Sequence, residues 1–223
     1  MTFRNRPLHN EADLCPHQED LDPDAKYFFA VDGAATEEEY LSLIRSLVGI
    51  FKPSDILETG SYMGDGTFAL LQALWGNPHQ ETNIVTICGD IIPEDVLEKL
   101  RLATSLKNRL IVICANTNDL IDNNTLADLT EGKTTFAFLD SSIPDRLKEF
   151  NYISNPANGV LDFTRPICVC VHDMSKYRHP KDSHFEYLQG TVEGLEKTAN
   201  ERGWQMLRIN QSRGMIVLVR YTN

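Results

Sequence analysis

Residues 56–67 read Ile-Leu-Glu-Thr-Gly-Ser-Tyr-Met-Gly-Asp-Gly-Thr. The apolar pair Ile56-Leu57 marks a strand that ends in a carboxylate, Glu58. Glycines at 60, 64 and 66 make the next segment a loop, and Phe68-Ala69-Leu70-Leu71-Gln72-Ala73-Leu74 then opens an apolar helix. Glycine has no Cβ, so it accepts φ > 0 and lets another group approach the backbone closely. Strand, glycine loop and helix form the unit with which doubly wound α/β proteins hold ligands at the carboxyl ends of a sheet. The spacing is Gly-x-x-x-Gly-x-Gly, unlike the Gly-x-Gly-x-x-Gly of dinucleotide sites.

Around this unit, strands and helices alternate. Thr36 followed by Glu37-Glu38-Glu39 predicts a helix start with a Thr cap. Tyr40, Leu41, Ile44, Leu47, Val48 and Phe51 continue it on one apolar face, and Pro53 stops it. Strands are expected at about 55–59, 84–88, 109–114, 134–140 and 166–172, and helices at about 66–75, 93–105, 118–129 and 143–152. Runs such as Ile84-Val85-Thr86-Ile87-Cys88 and Ile167-Cys168-Val169-Cys170-Val171 are apolar throughout, as strands covered on both faces are. Ser183, with Glu186 three residues on, predicts another capped helix, which Gly203 ends. Strands at 204–209 and 214–220 are then joined by only Asn210-Gln211-Ser212-Arg213. So short a loop allows no parallel crossover, so the pair must be an antiparallel hairpin. The expected fold is α/β: a doubly wound, mostly parallel seven-stranded sheet with a C-terminal antiparallel hairpin. Residues 1–35 are expected to form an N-terminal arm and residues 36–223 one domain.

The net charge of −11 argues against nucleic acid or an anionic membrane as partner, because phosphates demand a basic face. The N-terminus has no apolar signal core, and no apolar run approaches the ~20 residues of a membrane span. Cys88, Cys114, Cys168 and Cys170 sit in strand-like runs, without Cys-x-x-Cys spacing, and are expected to be small buried hydrophobes. A reducing cytoplasm is the expected home.

The Glu58-to-Gly66 stretch resembles the first motif of class I S-adenosylmethionine (SAM) methyltransferases, in particular the catechol-type and small-molecule or sugar O-methyltransferase branch. The resemblance extends over about residues 36–220, at the level of fold, and implies SAM as cofactor. Its cofactor-binding residues would be Glu58, Gly60, Ser61, Tyr62, Gly64, Gly66 and Thr67 around the loop. Asp90, after the second strand, would take the ribose; Thr117 and Asn118, after the third, would reach the adenine. An equal reading of Thr117 and Asn118 is as caps of the next helix. Asp140 ends the fourth strand and would belong to both the cofactor and the catalytic sets.

Asp140 and Asp173 end adjacent strands and converge on one cleft; each would be costly to desolvate unless paired or metal-bound. In the family such acids hold Mg²⁺, which implies a metal set of Asp140, Asp173 and His172 for Mg²⁺ or another divalent ion. The same three residues are the expected catalytic set. Two departures stand out. The catechol pattern has Asp-Asn at the end of strand five, whereas His172-Asp173 is followed by Met174. Ile143 occupies the position of the usual Lys or His base, so the substitutes are His172, Lys176, His179 and His184.

The expected activity is SAM-dependent methyl transfer to a hydroxyl of a small metabolite, with a homodimer possible. Its rivals are a non-catalytic binding protein of the same fold and a nucleotide-cofactor oxidoreductase on a Rossmann sheet.

Overall fold

In the computed structural model, residues 36–75, 81–89, 93–103, 109–175, 177–178, 184–210 and 213–222 are described. The arm, Asp90, Lys176, His179 and Ser183 lie outside these residues. Seven strands form one sheet in the order β3-β2-β1-β4-β5-β7-β6. They are β1 (Asp55–Thr59), β2 (Asn83–Cys88), β3 (Arg109–Cys114), β4 (Thr134–Leu139), β5 (Ile167–His172), β6 (Gln205–Ile209) and β7 (Met215–Arg220). Strands β1 to β5 run parallel, and β7 pairs antiparallel with both β5 and β6. The terminal hairpin expected from the short 210–213 connection is therefore present.

Strand side chains alternate between two cores, as a period of two requires. Leu57, Val85, Leu139 and Val169 face one side; Ile56, Ile84, Phe138 and Cys168 face the other. Helices α1 (Glu38–Phe51), α2 (Asp65–Trp75) and α3 (Glu94–Ala103) contribute to the core of Ile56. Helices α4 (Thr117–Asp122), α5 (Leu126–Thr130), α6 (Ile143–Ile153) and α7 (Phe185–Glu201) cover the face of Leu57.

Three local expectations change. The 118–129 helix is broken in two at Asn123-Asn124, where Asn124 takes a left-handed φ of 55° that interrupts the ladder. Glu37, not Thr36, is the N-cap of α1, and its side chain makes no cap hydrogen bond. Cys114 is exposed, while Cys88, Cys168 and Cys170 are buried. Among the described residues, no helix is long and apolar enough to cross a membrane.

Candidate active site

A cavity of about 520 Å³ opens at the carboxyl ends of β1 to β4. Glu58, Gly60, Ser61, Tyr62, Gly66, Thr117 and Asp140 line it, so the structure brings these predicted residues together. Gly64, Thr67, Asn118, His172 and Asp173 are not part of the lining.

The glycines act through packing. Gly60 has φ 79°, and a Cβ there would collide with the backbone oxygen of Asp140 at the end of β4. It lets the loop approach the sheet closely. A Cβ on Gly66 would collide with the Glu58 carboxylate. Gly64 sits over Val96 and Leu100 of α3. Glu58 is buried and accepts hydrogen bonds from the hydroxyls of Thr67 and Thr86. Burial pushes its carboxyl up to about 7, against the pull of those two hydroxyls. Ser61 is buried, and its Oγ has no hydrogen-bond partner among the described residues.

Asp140 and Asp173 belong to a network of ions at the ends of β4 and β5. His172 lies between two carboxylates, with Nδ1 2.9 Å from Asp140 Oδ1 and Nε2 2.6 Å from Glu37 Oε2. Burial opposes its charge, yet Asp140 and Glu37 outweigh burial and hold the ring's pKa up to about 9. It is an imidazolium at neutral pH, with both N–H groups donated. Arg146 on α6 donates Nη2 to Asp140 Oδ1 at 2.9 Å and Nη1 to the His172 carbonyl at 2.7 Å. The same Nη1 is 3.7 Å from Asp173 Oδ2. Arg178 pairs with Asp173 Oδ1, and Arg213 donates to Asp173 Oδ2 at 3.3 Å. Burial pushes Asp173 up, but Arg213, Arg178 and Arg146 together hold it well below the usual carboxylate range. Thr36 Oγ1 donates to Asp140 Oδ2 at 2.7 Å, and Glu37 Oε1 accepts from the Arg213 backbone N–H at 3.0 Å. The two residues read as helix-start signals are thus spent on this network.

The expected metal set does not fit a divalent ion. A hard cation needs several oxygen lone pairs aimed at one point. Here the Asp140 and Asp173 oxygens are aimed at N–H and O–H donors, and both His172 nitrogens are occupied. Arg146 bridges the two acids where a metal would bind. Three carboxylates (Glu37, Asp140, Asp173) already meet four cations (His172, Arg146, Arg178, Arg213). A dication would add repulsion. Among the described residues, no group of three His, Cys, Asp or Glu is arranged to hold a metal.

Asn118 gives its backbone N–H to the Asn116 side chain, which is the N-cap of α4, and its side-chain amide to Asp145 Oδ1 at 2.6 Å. The capping element is therefore Asn116, with Asn118 receiving the cap. Glu149 on α6 is a site residue that sequence reasoning missed. It is fully buried and lines the cavity, with Oε2 accepting from Thr59 and Ser141 hydroxyls, each at 2.9 Å. Burial lifts its pKa to about 7. The signal was present in the sequence: Arg146 and Glu149 fall on the same helical stripe as Ile143, Phe150 and Ile153. Charged residues on a buried stripe need partners, and those partners here are the site.

By sequence, no family model and no curated protein matches the chain. By structure, it resembles methyltransferases. The SAH-bound methyltransferase PaMTH1 of Podospora anserina superposes with a TM-score of 0.57 at 18% identity, over 85% of this chain and 80% of that one. The O-methyltransferase TomG of Streptomyces achromogenes, involved in tomaymycin synthesis and in complex with SAM, gives 0.58 at 18% identity, over 93% and 86%. An O-methyltransferase of Bacillus cereus in complex with SAH gives 0.58 at 16%, over 84% of each chain. The fold is the Rossmann-like fold of class I SAM methyltransferases. The antiparallel β7 beside β5 separates this fold from the six parallel strands of the dinucleotide-binding Rossmann sheet.

Proposed function

We propose that this chain is a SAM-dependent methyltransferase that transfers a methyl group to a hydroxyl of a small acceptor, without a divalent metal. The observation that carries this reading is the cavity at the strand ends, lined by the carboxyl groups of the buried Glu58 and of Asp140. Carboxylates suit a ligand that carries a sulfonium and an ammonium and no phosphate. The unpartnered Ser61 Oγ supplies a further polar contact for its amino-acid end.

The bound cofactor would supply an electrophilic methyl on sulfur. The protein's part is to orient the acceptor oxygen in line with it and to favour the oxyanion. Arg146 and Arg213 line the same cavity, backed by the His172 imidazolium. They offer the positive field that a metal supplies in related enzymes, so a strong base at position 143 is not needed. His172 would act as a charged strut behind Asp140, not as the base. Asp140 would hold the acceptor side of the cavity, and Asp173 would fix the three arginines. The full commitment of these ions to one another also favours a second reading, a protein that binds SAM without turnover.

Incubation with SAM and a panel of small phenols, alcohols and hydroxy acids, with SAH measured by mass spectrometry, tests the proposal. Acceptor-dependent SAH formation is expected. SAH binding without turnover on any hydroxylated acceptor would favour the second reading.

A further inference from the structure

Cys88 and Cys114 are 26 residues apart in the chain and share no motif, yet the sheet sets them side by side. They end the adjacent parallel strands β2 and β3 and are register partners, so both side chains point to one face. Their Sγ atoms stand 3.3 Å apart, and Cys88 Sγ is also 3.5 Å from the Ile113 carbonyl oxygen. Neighbouring strands lie about 4.8 Å apart, within the roughly 4.4–6.8 Å of Cα separation that a disulfide spans. The two thiols differ in access. Cys88 is 2% exposed and packs in the core of Ile56, whereas Cys114 is open to solvent. Strand β3 is an edge of the sheet, so its end can move toward β2 without parting from a second neighbour among the described strands. Cys88 and the following Gly89 also line the strand-end cavity. The pair therefore touches solvent on one side and the cavity wall on the other.

We propose that Cys88 and Cys114 form a redox modification site, at which a low-molecular-weight disulfide such as oxidised glutathione closes an intrachain disulfide and weakens ligand binding in the cavity. The effect on the cavity rests on the SAM reading above; the bond itself does not. Exposed Cys114, in its thiolate form, attacks one sulfur of the small disulfide, which makes a mixed disulfide and releases one small thiol. Cys88, already in contact, attacks the Cys114 sulfur and releases the second. Two protein thiols are oxidised, one small disulfide is reduced, and the two thiol protons leave on the two small thiols. Closure brings the sulfurs from 3.3 Å to about 2.05 Å and draws the ends of β2 and β3 together. Gly89 follows Cys88 directly, so the cavity wall shifts with it. Cys168 and Cys170 provide the contrast. Both are fully buried on the interior strand β5 and offer no open thiol for the first attack.

Titration of the full chain with mixtures of reduced and oxidised glutathione, followed by alkylation and peptide mapping, tests the site. The expected product is a peptide that joins Cys88 to Cys114, reversed by reduction, with Cys168 and Cys170 still thiols. Calorimetry with S-adenosylhomocysteine should then show weaker binding by the oxidised chain, by about threefold or more, the scale of one weak hydrogen bond lost. In Cys114→Ser, oxidised glutathione should leave the affinity where it was. A chain that keeps both thiols, stops at glutathione on Cys114, or joins either thiol to Cys15 overturns the site. A Cys88–Cys114 disulfide with unchanged affinity overturns its effect on the cavity. Binding of S-adenosylhomocysteine by neither form overturns the SAM reading and that effect together, while the peptide map still decides the disulfide.

Discussion

The His172 ring is held by two carboxylates that come from distant parts of the chain. Glu37 lies 135 residues away and Asp140 lies 32 away. The two carboxylates hold the ring charged and give it a signature in stability. Its folded pKa is raised from 6.5 to about 9, so the folded state binds the proton more tightly. The contribution is fully present below 6.5 and is lost as pH rises through about 9. From 6.5 to about 9, it amounts to roughly 3 kcal/mol of unfolding free energy at most. Urea unfolding across that window should show the loss, and His172→Gln should flatten it. A wild-type curve with no loss up to pH 9.5 would refute the charged strut. Gly60 gives the second residue-scale test. Its glycine was legible from spacing, but the reason was not, because the atom it avoids belongs to β4. Gly60→Ala combines a collision with the Asp140 backbone and a φ of 79°. It should destabilise the protein by about 2–3 kcal/mol. A melting temperature equal to the wild type's would show that the loop does not need this approach.

At the scale of elements, α6 holds the most information that the sequence did not yield. Its bounds were predicted closely, from 143–152 to the observed Ile143–Ile153. The usual base position is held by Ile143, and the charged side chains of the site sit one and two turns later, at Arg146 and Glu149. Arg146 ties α6 to β4 and β5 through Asp140, the His172 carbonyl and Asp173. Arg146→Met should cost about 3–5 kcal/mol, because it leaves buried carboxylates short of a partner. The same helix predicts metal independence. Dialysis against EDTA should leave the melting temperature and SAH affinity of the wild type unchanged, since Arg146 occupies the bridging position between the acids. A fall in either on chelation, restored by Mg²⁺ or Mn²⁺, would contradict the donor assignment. Helix α1 shows the same limit of local reading. Thr36 and Glu37 match a capping signal, yet the structure spends them on Asp140 and His172. Local pattern marks where a helix begins; it does not reveal that a capping side chain has a better-placed partner across the sheet.

At the scale of the molecule, the fold was legible because its determinants are periodic and local. Apolar runs marked strands buried on both faces, helical stripes marked the covering layers, and a four-residue connection fixed the final pair as antiparallel. The loop-and-strand-end half of the site followed from the fold, since β1 to β4 deliver their ends to one place. The ionic half depended on the pairing of Glu37 with His172, and of Arg146, Arg178 and Arg213 with Asp140 and Asp173, which helix and strand periodicity do not encode. The central claim is that the strand-end cavity is a SAM site. The most direct test is isothermal calorimetry of the full chain with S-adenosylhomocysteine, with NAD⁺ as the control. Saturable one-to-one binding of the former is expected, weakened in Glu58→Gln, with no heat from NAD⁺. Heat from NAD⁺ with none from S-adenosylhomocysteine would contradict it.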